Sequence, residues 1–322
     1  MTIFRTAERR KAKLRLAIDG PSGSGKTLSS LLIAYGITGD WSKVAVIDTE
    51  RGSADLYTGT VIPGSTEKIG EYLVASMEPP FSPDRYVAII AAAEKSGAEV
   101  LIIDSLSHAW SGAGGVLDMH DAATKASRSK NSYTAWRDVT PAHNELIDTI
   151  LGSPLHVIAT MRTKTAYDME DDGKGRKKPV KVGMKPEQRE GTEYEFTVVL
   201  DLAVDSHVAV AGKDRTQLFD GRPQVPSVAT GEALRNWLDQ GVDPVDKARS
   251  EIAAAADVDE LRAVCAVHKA EAQRGGWVDL LADMFKQRQA AILAGGEGGA
   301  GEVAANSDKG TPPATPSEQE VS

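Results

Sequence analysis

The chain has 322 residues, of which 41% are hydrophobic and 5% aromatic, and its formal net charge is −9. This length accommodates one large α/β domain and a smaller unit, while a single cysteine, Cys265, excludes an internal disulfide framework. No apolar run reaches the roughly 20 residues of a membrane span, and residues 1–5 lack a signal-peptide core. We therefore expect a cytoplasmic protein with no membrane partner.

A strand, a glycine-rich turn and a helix follow the polar lead-in of residues 1–13. The apolar stretch 14–19 leads into the G-x-x-x-x-G-K-T run, and the next residue continues a helix to about residue 36. The run and that next residue are Gly20, Pro21, Ser22, Gly23, Ser24, Gly25, Lys26, Thr27 and Leu28. Such a turn aims backbone N–H groups and the positive end of the helix dipole at one point, which predicts a site for the phosphates of a nucleoside triphosphate. Lys26 is expected on the β- and γ-phosphates and Thr27 on Mg²⁺.

Two later apolar strands end in carboxylates. The strand 44–48 is followed closely by Glu50, and the strand 100–104 ends in Asp104. Because ligands of parallel sheets bind beyond the carboxyl ends of the strands, both side chains are expected near the phosphates. Asp104 is predicted to contact Mg²⁺ through water, with a helix cap as the alternative. Glu50 is predicted to activate the attacking water as a general base, with a simple pair to Arg51 or to a neighbouring loop as the alternative.

Helices and strands alternate as far as residue 240. They are helix 83–96, strand 100–104, helix 132–151, strand 155–161 and the strands 195–202 and 207–211. Nearly continuous apolar strands between helices predict an α/β fold with a mostly parallel central sheet and helices on both faces. The last two strands are close enough to form an antiparallel edge. We expect this P-loop core to span residues 14–240.

A concentrated basic segment follows the strand 155–161. Its six cations are Lys174, Arg176, Lys177, Lys178, Lys181 and Lys185. A mobile lysine-rich loop here is expected to bind the phosphate backbone of a nucleic acid, more weakly as salt rises. The alternative is a solvated hairpin balanced by the acidic residues upstream. A second loop, 105–134, with Tyr133 and Trp136 nearby, offers aromatic surfaces on which bases could stack.

The C-terminal part of the chain has a different composition. Residues 241–244 have the composition of a hinge, and the alanine-rich segment 244–294 has apolar residues at helical spacing. We therefore expect a helical appendage of two or three helices. From residue 295 to 322 the chain is too poor in apolar side chains to fold, which predicts a disordered acidic tail.

The order of these motifs resembles the RecA-like core, and more closely the phage-encoded RecA-like ATPases of the Sak single-strand-annealing group. The specific part is the block 182–196, which reads VGMKPEQREGTEYEF, and the resemblance covers residues 12–222. It implies Mg²⁺-dependent ATP hydrolysis on single-stranded DNA during recombination or strand annealing. It also implies a ring or filament of identical subunits, with single-strand-binding or other replication and recombination proteins as possible partners.

The resemblance supports the roles already named for the phosphate, Mg²⁺ and water-activating residues, and it adds two more. Lys213 and Arg215 match a Lys-x-Arg pair that ring-forming relatives project into the nucleotide of the neighbouring subunit. The alternative is an ordinary solvated turn. Relatives also carry a polar sensor, often Gln or Asn, at the end of the strand 155–161. Here Thr160 or Arg162 has to take that role.

Two other functions stay open. One is a helicase or helicase loader of the DnaB-like branch, although we expect no large N-terminal collar domain here. The other is a non-catalytic adaptor that is switched by nucleotide binding. ATP turnover stimulated by single-stranded DNA would exclude the adaptor, and unwinding of a forked duplex would distinguish a helicase from an annealing protein.

Overall fold

The structure is a computed structural model that describes residues 7–127, 132–171 and 177–296. Its strands are β1 Arg15–Gly20, β2 Val44–Asp48, β3 Leu73–Ser76, β4 Val100–Asp104, β5 His156–Asp171, β6 Lys177–Pro186, β7 Val198–Leu202 and β8 Ala209–Asp214. Its helices are α1 Lys26–Thr38, α2 Pro83–Ala93, α3 Ser107–Ser111, α4 Val116–Ala126, α5 Ser132–Gly152, α6 Val228–Leu238, α7 Pro244–Ala254, α8 Val258–Gly275 and α9 Val278–Gly296. None of the helices in these ranges is both long and apolar enough to cross a membrane.

The central sheet has the strand order β3-β2-β4-β5-β1-β7-β8. All neighbours in this order are parallel except β7 and β8, which pair antiparallel at one edge. The predicted mostly parallel α/β sheet and its antiparallel edge are therefore confirmed. Because β1, β4 and β5 occupy the centre, the ends of β1 and β4 that carry the sequence motifs lie close together.

Helices cover both faces of the sheet. On one face, Leu16 and Ile18 of β1 pack in a core cluster with residues of α1 and α6. On the other face, Ala17 packs in a second cluster with residues of α2 and α5. Burial on both faces explains why the central strands are apolar at nearly every position rather than at alternate ones.

Part of the basic segment differs from the expectation. In place of a mobile loop, β6 pairs antiparallel with the outer half of β5, from Thr163 opposite Pro186 to Asp171 opposite Lys177. We call this two-stranded projection the ribbon; it comprises residues 163–171 and 177–186. The loop prediction was wrong for residues 177–186 because backbone pairing, and not an apolar pattern, forms these strands.

The segment 105–134 also differs from the expectation of a loop, since it contains α3, α4 and the start of α5. Trp136 stacks on Trp110 with ring centroids 5.8 Å apart, and on His120 at 4.1 Å. The Trp136 ring thus packs between helices, which corrects its assignment as a surface for base stacking.

The appendage consists of α7, α8 and α9 around a small core that includes Ile252, Leu261 and Leu281. Residues 8–11, which we call the strap, connect it to the larger domain. The backbone of the strap pairs with Val242, and Arg9 lies over the ring of Trp237 at 4.7 Å. Three ion pairs join the strap to the appendage and its linker: Glu8–Lys247, Arg10–Glu271 and Lys11–Asp243. The predicted tail of residues 295–322 lies outside the described residues except for its first two, which end α9.

Candidate nucleotide site

The turn between β1 and α1 has the geometry of a phosphate-binding loop. Gly23 and Gly25 adopt φ values of 82° and 90°, a left-handed conformation that other residues rarely take. α1 then begins at Lys26, so that the positive end of its dipole faces the loop. The Lys26 ammonium donates to the carbonyl oxygens of Gly20 and Pro21, both at 2.9 Å. The Lys26 side chain thus folds back onto the loop that precedes it.

A hydroxyl and a carboxylate meet beside this loop. Thr27 Oγ1 donates to Asp104 Oδ2 at 2.5 Å, and Thr160 Oγ1 donates to Asp104 Oδ1 at 2.6 Å. Asp104 is 1% exposed, and burial raises the pKa of its carboxyl despite these two hydrogen bonds. Hydroxyl and carboxylate oxygens are the hard donors that Mg²⁺ prefers. Thr27 and Asp104 therefore fit the metal role predicted for them.

Glu50 lies at the end of β2, next to the end of β4. The carboxylate of Asp48 accepts hydrogen bonds from the backbone N–H groups of Glu50, at 2.6 Å, and Ala54, at 3.3 Å. These bonds fix the turn that carries Glu50. Its side chain pairs with Arg162 rather than with Arg51, since Arg162 Nη2 and Nε donate to Glu50 Oε1 at 2.9 and 3.1 Å.

A polar cavity of about 540 Å³ joins these groups. Its lining residues are Ser22, Gly23, Gly25, Lys26, Thr27, Glu50, Ser53, Tyr57, Asp104, Arg162, Thr163 and Glu187. Burial lowers the pKa of Lys26, while the nearby carboxylates of Asp104 and Glu50 act in the opposite direction. The structure thus brings together the residues predicted for phosphate, Mg²⁺ and water activation.

Both sensor candidates contact this site, but at different carboxylates. Thr160 bonds the predicted metal carboxylate, whereas Arg162 bonds the predicted general base. The sequence pattern offered them as alternatives, because it could not show which carboxylate each would reach.

A second cavity, of about 550 Å³, lies on the other side of Gly25 and is mostly apolar. It is formed by the first turns of α1, a loop around Ile62 and the segment 225–229. His207 borders it from the turn between β7 and β8, with its Nδ1 3.0 Å from the carbonyl oxygen of Ser24. No sequence motif marks His207, since only the pairing of β7 with β1 brings it to the loop.

Lys213 and Arg215 lie at the opposite end of the sheet. β8 runs antiparallel to β7 and β1, so Asp214 is opposite Val198, which pairs with Leu16 near the start of β1. Four residues of strand, roughly 13 Å, separate this level from Gly20. Arg215 is exposed, and Lys213 bonds the carbonyl oxygens of Glu193 and Tyr194. The structure does not bring this pair to the phosphate loop of its own chain.

The residues predicted to bind nucleic acid are only partly described. Lys177, Lys178, Lys181 and Lys185 belong to β6, whereas Lys174 and Arg176 lie outside the described residues. Lys185 forms an ion pair with Glu190 at 3.1 Å, and it lies near the base of the ribbon.

A buried carboxyl beside the loop was not predicted. Asp19 of β1 is 1% exposed, and its Oδ1 has no hydrogen-bond partner among the described residues. Burial, with the negative charges of Asp201 and Glu193, raises the pKa of Asp19 to about 8. The sequence contains both aspartates, but it does not show that Asp201 of β7 lies beside Asp19 of β1.

Residues 12–227, more than half of the chain, match the AAA domain family AAA_24. The chain belongs to this family. Among curated proteins, none matches it. The matched AAA domain contains the phosphate loop, both carboxylates and the ribbon, and it ends before α6 and the appendage. The protein thus contains a nucleotide-binding domain of the ATPase type.

Proposed function

We propose that this AAA domain protein hydrolyses ATP with Mg²⁺ while engaged with single-stranded DNA, in phage recombination or strand annealing. The observation that carries the ATPase proposal is the single cavity shared by Lys26, Glu50 and Asp104. The DNA proposal is supported by the lysines of β6, a strand whose base adjoins that cavity through Arg162 and Glu187.

The phosphates of ATP are better hydrogen-bond acceptors for Lys26 than the carbonyl oxygens of the loop. The carbonyl oxygens that hold Lys26 are neutral, whereas phosphate oxygens are charged and form stronger hydrogen bonds with an ammonium. We therefore expect Lys26 to move from the loop carbonyls to the phosphates. Thr27 and Asp104 would hold Mg²⁺, which supplies positive charge to the β- and γ-phosphates. The apolar cavity beyond Gly25 has the size and lining to take the base.

The chemical step requires a base at Glu50. Its carboxylate takes a proton from water as the water oxygen bonds to the γ-phosphorus and the bond from that phosphorus to the ADP oxygen breaks. Asp48 supports this role because it fixes the backbone of Glu50 at the edge of the cavity.

Mutation of the loop lysine and the base tests the ATPase proposal. Lys26→Ala should abolish ATP binding or turnover, and Glu50→Gln should keep binding but lose turnover. Lys43→Ala is a matched control, since Lys43 lies at the other end of β2, where it pairs with Glu99. Phosphate release and binding of a fluorescent ATP analogue measure the two effects. Normal hydrolysis by Glu50→Gln would contradict the role of Glu50.

A salt series tests the DNA proposal. Combined replacement of Lys177, Lys178 and Lys181 with Gln should weaken binding of single-stranded DNA and flatten the salt dependence, by about 0.7 in log–log slope for each DNA phosphate that is no longer neutralised. A control triple variant replaces Arg262, Lys269 and Lys286 of the appendage. Equal weakening by both variants would show general electrostatic attraction rather than binding at the ribbon. Annealing and forked-duplex unwinding assays then separate the recombination and helicase functions.

We also propose that the protein acts as a homo-oligomer, a ring or a filament. Lys213 and Arg215 are too far from their own phosphate loop, so they could stabilise charge on the γ-phosphate only in an adjacent copy. Arg215→Ala and Lys26→Ala subunits should each be inactive alone and regain part of the turnover when mixed. No recovery in the mixture would contradict action between subunits.

A further inference from the structure

The predicted general base is not free in this structure. Two N–H groups of the Arg162 guanidinium donate to Glu50 Oε1, at 2.9 and 3.1 Å. The Glu50 and Arg162 side chains are only 30% and 42% exposed, so the pair is partly shielded from water. A carboxylate oxygen that accepts two charge-assisted hydrogen bonds is a weaker base and has less room for a water molecule. The pair therefore opposes the role expected of Glu50 in hydrolysis.

Arg162 occupies the junction between the central sheet and the ribbon. It is the last residue of β5 that pairs with β1, where it is opposite Gly20, and the next residue already pairs with β6. Its N–H donates to Ser107 Oγ at 2.9 Å, and its carbonyl oxygen accepts from the Glu187 N–H at 2.6 Å. Glu187 directly follows β6. Both strands of the ribbon thus end on the residue that holds Glu50.

We propose that the Arg162–Glu50 pair is a latch that suppresses ATP hydrolysis until single-stranded DNA binds the ribbon. This inference rests on the proposed ATPase function and adds its regulation. Because the Arg162 carbonyl is tied to Glu187, a shift of β6 under a bound polyanion moves the backbone that positions the guanidinium. The phosphates of the bound strand also attract the guanidinium away from Glu50. Once released, Glu50 accepts the proton of the attacking water.

The latch predicts that removing the arginine increases activity. Arg162→Gln should raise ATP turnover without DNA about two- to fivefold. This is the rate factor that corresponds to the free energy of a partly exposed ion pair. DNA should then add little further stimulation. The KM for ATP should stay near that of the unmodified protein, because Glu50 acts on the water and not on ATP binding. Arg162→Lys, which keeps the charge but not the two-pronged donor, should lie between the two proteins.

Arg189→Gln is the matched control, since it makes the same chemical change outside the cavity and its guanidinium contacts Asn144 instead. It should leave turnover without DNA unchanged. A turnover of Arg162→Gln equal to or below that of the unmodified protein, with ATP binding intact, would overturn the latch. In that case Arg162 would itself stabilise the transition state or play no part.

The two proposals fail in different ways. Phosphate release in the presence of DNA that is the same in the unmodified protein and in Lys26→Ala would overturn the ATPase function. Turnover that depends on Lys26 but does not rise in Arg162→Gln would overturn only the latch. If the unmodified protein shows no ATP turnover without DNA and the Arg162→Gln variant does, both proposals are supported. If neither protein shows turnover with DNA present, both are overturned.

Discussion

At the scale of single residues, the nucleotide site depends on groups that are buried before any ligand arrives. Lys26 and Asp104 are each less than 10% exposed. Charged groups in such positions are stabilised only by the partners that surround them, so a ligand that offers better partners competes effectively. The neutral loop carbonyls around Lys26 therefore keep the site ready for an anion.

Asp19 makes the stability of the protein depend on pH. Its pKa in the folded protein is about 8, against an ordinary value of 3.8. Between these pH values the unfolded chain loses the proton while the folded protein keeps it, so stability is greatest at low pH and falls as pH rises towards 8. Above pH 8 this contribution no longer changes.

Asp19→Asn should remove this dependence. The variant should match the unmodified protein near pH 4 and become more stable than it as pH rises, by on the order of a few kcal/mol at pH 8. Urea unfolding at several pH values measures the difference. Asp201→Asn should show part of this effect, because it removes one of the negative charges that raise the pKa of Asp19. Parallel pH profiles for Asp19→Asn and the unmodified protein would contradict the assignment.

At the scale of elements, the packing of α1 against α6 holds the phosphate loop in place. A Cβ added to Gly36 would lie 2.1 Å from the Val228 carbonyl oxygen and 2.8 Å from Gly231 Cα. The two helix backbones thus touch at a pair of glycines, and no larger residue fits there without moving α6. Because α1 begins at Lys26, such a movement would also disturb the loop.

Gly36→Ala should destabilise the protein by about 1–3 kcal/mol, as overpacked cores do, even though alanine favours a helix more than glycine. Gly152→Ala is the control, since a Cβ added there meets no atom within 4 Å. It should change stability by less than about 1 kcal/mol, in the stabilising direction. Urea unfolding compares the two, and equal effects would contradict the close helix contact.

The elements that could be predicted from sequence are those that bury apolar runs. β2 and β4 were predicted with their observed bounds, because the centre of a parallel sheet demands apolar side chains on both faces. β3 was missed because its four residues lie at an edge and are partly exposed. The site followed the same division, because the loop and the two carboxylates have local patterns. Arg162 was named as a sensor candidate, but its contact with Glu50, like the approach of His207 to the loop, depends on strand pairing.

At the scale of the whole molecule, the strap near the start of the described chain contacts the linker and the appendage. Exposed ion pairs such as Lys11–Asp243 contribute less than about 1 kcal/mol each. The closer contact is between backbones, since a Cβ on Gly241 would lie 2.1 Å from the carbonyl carbon of Arg10. The predicted hinge at 241–244 is therefore paired with the strap and not a free linker.

Gly241→Ala should separate the strap from the linker while it keeps every charge in place. We expect faster proteolysis between α6 and α7, with ATP binding unchanged because the loop lies at the other end of the sheet. Gly152→Ala again serves as the control. Limited proteolysis followed by mass spectrometry locates the cut, and an unchanged digestion pattern would show that the ion pairs suffice to hold the appendage.

The continuity of β5 has a consequence for how such proteins can diverge. One uninterrupted strand carries Thr160 and Arg162 beside the ATP site and then extends outward as half of the ribbon. Pairs of residues added to or removed from both strands would lengthen or shorten the ribbon without altering the register at its base, where Thr163 is opposite Pro186. The length of the ribbon can therefore change while Thr160 and Arg162 keep their places beside the phosphate loop.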